Sequence, residues 1–193
     1  MAEYLKPNSD VTKGLFTSAG TDHYVLVDDA ENDTHDSDST FVSGVNNATY
    51  QVDEYGLENL VASSGTYSLQ IRAAAYCTSA SIGKIKLGVK VGSTVYYASE
   101  QTLGTSYSWL SDTWANNPAT SEPWTVSEIN SAVAVLAMLS DSKSAASCTC
   151  LYAVVEAAAA EPVYSKVMGV AKASISKVMG TARAAISKIS GKS

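Results

Sequence analysis

Tyr67-Ser68-Leu69-Gln70-Ile71-Arg72-Ala73-Ala74-Ala75-Tyr76-Cys77-Thr78-Ser79 is the longest stretch of this chain that reads as one β-strand. Side chains along a strand alternate between faces with a period of two. Here Tyr67, Leu69, Ile71, Ala73 and Ala75 fall on one side, and Ser68, Gln70 and Arg72 on the other. The alternation fades after Ala73, which predicts that this end is covered on both faces. Lys84 to Val91 (KIKLGVKV) repeats the pattern, with Ile85, Leu87 and Val89 inward and Lys84, Lys86 and Lys90 outward or at an edge. Gly92-Ser93 then makes a two-residue turn, and Thr94 to Ala98 completes a hairpin.

Working outward, residues 1–22 read as an arm or loop carrying Pro7, Asn8, Ser9 and Asp10. His23 to Asp28 (HYVLVD) is expected as the first strand, followed by an acidic loop. Thr40 to Val45 and Thr49 to Val52 flank a turn at Asn46-Asn47, and Leu57 to Ala62 is ambiguous. Thr105 to Trp114 is a further strand. Thr125-Val126-Ser127-Glu128 has the capping-box pattern ahead of Ile129 and predicts one short helix. Ala132 to Leu139 and Cys148 to Glu156 are the last strands. Many short strands spaced by turns, with almost no helix, predict an antiparallel β-sandwich, and the long connections favour a jelly roll. The expected organisation is an arm over 1–22, the sandwich over 23–156, a linker over 157–162 and a tail over 163–193.

The tail repeats. Ser165-Lys166-Val167-Met168-Gly169 recurs as Ser176-Lys177-Val178-Met179-Gly180, and Ser187-Lys188-Ile189-Ser190-Gly191 begins a third copy, a period of eleven. Eleven residues make three turns of about 3.67 residues, so the period favours a helix. One arc of that helix collects Val167, Met168, Val170, Ala171, Ser174 and Ile175, with Lys172 and Lys177 at its borders. One glycine per copy opposes it by about 1 kcal/mol relative to alanine. The chain has 13 basic and 19 acidic residues, and six of the basic ones lie in 163–193 with no acidic residue. Residues 1–162 therefore carry 7 basic against 19 acidic residues, a net −12, and the tail is +6. A basic repeat on an acidic body is an assembly device for a neighbour of opposite charge. Its contacts are expected from Lys166, Val167, Val170, Ala171, Lys172, Ile175, Lys177, Val178, Ala182, Arg183, Ile186 and Lys188.

Catalysis has little support. The two histidines, His23 and His35, read as structural and solvated, and no nucleophile elbow, P-loop, zincin or dinucleotide motif occurs. Met1 to Lys6 has no apolar signal-peptide core, and no run suits a membrane span. The loop Asp33-Thr34-His35-Asp36-Ser37-Asp38 lacks the Gly and closing Glu of an EF-hand. It reads as a solvated acidic loop; Asp33, Asp36 and Asp38 are the carboxylates that a cation would use. No cofactor is implied. Cys148-Thr149-Cys150 is expected to place two thiols on one strand face, with Cys77 free to meet either across a sheet. An odd count favours reduced thiols packed as small apolar residues. Trp109, Trp114, Trp124, Tyr96, Tyr97 and Tyr107 are candidates for a sugar-stacking face, against the alternative of core or interface packing.

Several segments carry a resemblance. Pro7-Asn8-Ser9-Asp10-Val11, then His23-Tyr24-Val25-Leu26-Val27-Asp28-Asp29 and Asp36-Ser37-Asp38-Ser39-Thr40, resemble tailed-bacteriophage virion proteins. So do Thr105-Ser106-Tyr107, Trp114-Ala115-Asn116-Asn117-Pro118-Ala119-Thr120 and Pro123-Trp124-Thr125-Val126-Ser127-Glu128-Ile129-Asn130, and the tail is similar to repeats that close phage structural proteins. The resemblance implies a jelly-roll-like, non-enzymatic component of the virion. It implies partners among copies of itself, as a homo-oligomer, and other virion proteins, and it transfers no functional residue. Neither nucleic acid nor membrane is implied as a partner, although the basic tail leaves a surface contact with either open. The alternative is a carbohydrate-binding module for a host-surface glycan.

Overall fold

The computed structural model describes residues 2–15, 22–29, 40–45, 49–62, 64–79, 82–141 and 144–158, and the backbone of 166–167 and 170–171. Along the chain the strands are β1 (Glu3–Leu5), β2 (Pro7–Lys13), β3 (Val42–Gly44), β4 (Gln51–Leu57), β5 (Thr66–Cys77), β6 (Lys84–Val91) and β7 (Thr94–Tyr97). Then come β8 (Gln101–Thr102), β9 (Ser108–Trp114), β10 (Trp124–Thr125), the helix α1 (Val126–Ser131), β11 (Val133–Leu139) and β12 (Ala146–Ala157).

These strands form two antiparallel sheets. The first runs β1-β12-β5-β10, with β3 also on β12 and β9 also on β5. The second runs β2-β4-β11-β6-β7, with β8 on β6. The principal strands give the orders β3-β12-β5-β9 and β4-β11-β6-β7. The chain crosses between sheets at each step except the β6–β7 hairpin, which is the jelly-roll order. Gly92 at φ +60° makes that hairpin's turn.

Period-two alternation decides what lies between the sheets. Leu69, Ile71, Ala73, Ala75 and Cys77 of β5 face Ile85, Leu87 and Val89 of β6 and Ala134, Leu136 and Met138 of β11 in one buried cluster. Trp124 and Ile129 close one part of it, and both are fully buried. The α1 capping box is formed: Thr125 Oγ1 accepts from the Glu128 N–H, and a Glu128 carboxylate oxygen accepts from the Thr125 N–H at 2.8 Å.

Two expectations about the first residues are corrected. Residues 3–5 and 7–13, read as an arm, are strands. β2 is an edge strand with two register shifts against β4, so its polar sequence shows no alternation. His23 to Asp28, read as a strand, contains a 3-10 turn at Tyr24–Leu26. Carboxylates set its path: Asp10 accepts the N–H groups of His23 and Tyr24 at 2.8 Å, and buried Asp53 accepts those of Gly14 and Leu15 at 2.7 and 2.8 Å. Asp53 also holds His23 Nδ1 at 2.6 Å and the Tyr55 hydroxyl at 2.8 Å. A buried carboxylate so fully hydrogen-bonded outweighs the segment's strand pattern.

Cys148 and Cys150 do not share a face. β12 shifts register between them against β5, so Thr149 is an inserted residue. Its hydroxyl donates to the Thr40 carbonyl at 2.8 Å. Cys148 therefore packs between the sheets and Cys150 on the outer side, and all three cysteines are buried and unbridged.

By contacts the chain divides into Met1–Ala158 and Ala159–Ser193. In the second unit, β13 (Lys166–Val167) pairs antiparallel with β14 (Val170–Ala171). At these four positions the expected helix is replaced by a hairpin. Two residues, Met168-Gly169, connect them. The other repeat positions lie outside the described residues.

Candidate functional site

The calcium candidates Asp33, Asp36 and Asp38 lie outside the described residues. So do Lys172, Ile175, Lys177, Val178, Ala182, Arg183, Ile186 and Lys188 of the expected docking surface. Lys166, Val167, Val170 and Ala171 are placed by their backbone in the β13–β14 hairpin. Among the described residues no group of three or more His, Cys, Asp or Glu could hold a metal ion. Nor is any helix among them long and apolar enough to cross a membrane.

The nominated aromatics separate into four groups. Trp124 is fully buried, with its Nε1–H donating to the Trp114 carbonyl at 3.0 Å. Trp114 and Tyr96 are half-buried against the main core. Tyr97 is 45% exposed on the outer face of the second sheet, lying over Gly88, where any Cβ would crowd its ring at 3.1 Å. Trp109 and Tyr107 belong to the outer face of the first sheet.

That outer face is the most developed surface feature of the body. The Thr149 insertion turns Cys150, Tyr152 and Val154 outward, where they join Ala74 in a second buried cluster edged by Ala2, Tyr4 and Trp109. Trp109 and Tyr4 both meet Tyr152 edge-on, at ring separations of 5.7 and 5.9 Å. The Arg72 guanidinium lies 5.1 Å from the Trp109 ring centre and 5.7 Å from that of Tyr152, within cation–π range. Further along, the Tyr76 and Tyr107 rings are 4.4 Å apart.

In register beyond this cluster the same face becomes polar. Arg72 pairs with Tyr152 and Ser111, Gln70 with Val154 and Thr113, and Ser68 with Glu156. Ser68, Gln70, Thr113, Val154 and Glu156 line a shallow depression of about 80 Å³. Gln70 Nε2 donates to Thr113 Oγ1 at 2.9 Å. The arrangement offers an apolar shelf beside hydroxyl, amide and carboxylate groups. It offers no nucleophile–base pair.

Trp109 and Tyr107, among the sequence candidates, lie half-buried on this face, and Tyr4, Tyr152 and Arg72 were not among those candidates. Tyr4 lay in the supposed arm. Tyr152 was assigned its face without the Thr149 insertion. Arg72 was legible as outward-facing, and only its ring neighbours were not.

No protein family matches this chain, and no curated protein matches its sequence. Among solved structures, the C-terminal CBM6 of LamC, a marine laminarinase from Zobellia galactanivorans, is similar at 14% identity, over 81% of this chain and 100% of that one, with a TM-score of 0.42. CBM35 from Cellvibrio japonicus Abf62 is similar at 13% identity, over 83% and 100%, with a TM-score of 0.39. The jelly-roll assignment rests on the strand order of this chain itself.

Proposed function

We propose that this protein is a non-enzymatic structural protein of a phage-type virion, assembled with copies of itself and neighbouring shell or tail proteins through its basic repeat. The observation that carries the reading is the division of charge. All six basic residues beyond position 162 fall in the repeat, while residues 1–162 are acidic by twelve charges. Opposed charge steers such chains together, and apolar burial of about 25 cal/mol per Å² holds them once docked. Deleting residues 163–193 tests it. The body is expected to keep its cooperative unfolding, because its core lies within Met1–Ala158, while incorporation into assembled particles is lost. Unchanged incorporation contradicts the proposal.

A second reading, a carbohydrate-binding module, is favoured by one observation: the first sheet carries aromatic rings and hydrogen-bonding side chains side by side on its outer face. Burial of Trp124 removes one of its candidates, and Trp109 keeps its place there.

A further inference from the structure

We propose that the depression on the outer face of the first sheet, between β12, β5 and β9, binds one neutral pyranose ring. The inference rests on the second reading above and gives it a site and a ligand class. A pyranose has a C–H face that stacks on apolar surface and a rim of hydroxyls that need donors and acceptors. The depression supplies both. Val154 forms its apolar floor, and Tyr4 stands opposite Val154 in register on β1.

The polar rim is oriented in advance. The bond from Gln70 Nε2 to Thr113 Oγ1 fixes the direction of the Gln70 amide. Its carbonyl oxygen and second N–H then serve a hydroxyl pair. Ser68 adds a hydroxyl that donates or accepts, and the Glu156 carboxylate accepts.

Charge and size narrow the ligand. Among the described residues lining the depression Glu156 is the charged one, so an acidic sugar meets a like charge there and a neutral one does not. About 80 Å³ receives part of a single ring, far below the roughly 300–1,000 Å³ of pockets that enclose larger ligands. The site therefore takes a terminal or branch residue. One such ring gives a dissociation constant on the order of millimolar. Copies linked in an assembly raise the overall avidity by roughly 10²–10⁴-fold.

Saturation-transfer NMR on the full-length chain tests this, with the methyl glycosides of glucose, galactose, mannose, N-acetylglucosamine and glucuronic acid as probes. At least one neutral glycoside is expected to receive saturation mainly through its ring C–H protons, and the glucuronide none. Gln70→Ala and Thr113→Ala are each expected to weaken binding at least tenfold with the melting temperature unchanged, and Lys86→Ala on the opposite sheet to leave binding intact. Binding that survives both site variants overturns the site and leaves the second reading standing. No transfer to any of the neutral glycosides overturns both. Selective binding of the glucuronide overturns the assignment of ligand class.

Discussion

The two sheets share an inner face and differ in their outer ones. Outside the second sheet, Lys84, Lys86 and Lys90 project from β6. Lys90 pairs with Glu54 at 2.7 Å, Lys84 with Glu100 at 3.6 Å, and Lys86 lies 4.4 Å from the Tyr50 ring centre. The partly exposed Lys84–Glu100 pair adds little to stability, whereas Lys90 meets a buried carboxylate. Outside the first sheet, Tyr152, Cys150 and Ala74 are fully buried beneath Tyr4, Trp109 and Arg72. A sandwich needs one buried face per sheet. Among the described residues, only the first sheet carries a second buried apolar cluster, on its outer side.

One inserted residue separates the two designs. Cys148 and Cys150 pair with neighbouring Ala75 and Ala74, so, the side-chain period being two, one more residue after Cys150 would send Tyr152 and Val154 inward and Leu151, Ala153 and Val155 outward. An alanine inserted between Cys150 and Leu151 is therefore expected to abolish the cooperative thermal transition of the body. A melting curve like that of the intact chain would break the contrast at its root.

The thiols report the same contrast without a change of backbone. Burial, with the Asp29 charge adding to it, pushes the Cys150 thiol up to about 12. Burial and the neighbouring Cys150 raise Cys148 further. At pH 8 so little thiolate exists that both should react with a disulfide reagent about 10³-fold more slowly than in the unfolded chain. Fast labelling of Cys150 alone would show that the outer cluster is open.

Smaller effects calibrate the two faces. Tyr152→Ala removes a fully buried ring and should cost about 3–5 kcal/mol in denaturant unfolding. Thr125→Ala, at the helix cap, should cost about 1 kcal/mol. Hydrogen bonds from Thr125, its backbone N–H first, and from Asn117 hold the Glu128 carboxyl below its ordinary 4.5. The folded state thus binds that proton less readily than the unfolded chain. The cap's contribution is present above that ordinary value and is lost as pH falls through the lower folded one. The difference in melting temperature between the native chain and Glu128→Gln should shrink over that acid range. Lys86→Ala should stay within about 0.5 kcal/mol of the intact chain. A cost comparable to that of Tyr152→Ala would erase the distinction between the faces.

Much of this architecture was legible because alternation survives where a strand has one wet face. β5, β6 and the β6–β7 hairpin fell where their residues put them, and so did the capping box. β2 was not legible, since an edge strand with two register shifts follows its partner rather than a pattern. His23 to Asp28 is rich in strand-forming residues, but the hydrogen-bonding demands of Asp10 and Asp53 act across 13 to 30 residues of sequence and leave no local trace. The outer face depended on Thr149, a residue whose side chain gives no sign that it is an insertion. For the same reason Trp109 and Trp124 looked equivalent in sequence, while one edges a surface cluster and the other is sealed in the core.

The central claim is that the basic repeat is an assembly arm on a body that folds without it. Light scattering of the full-length chain and of residues 1–158, at low and high salt, tests it most directly. The account predicts a defined oligomer for the full-length chain that weakens as salt screens the charges, and a folded monomer for the body. Equal masses for the two, at either salt, would contradict it.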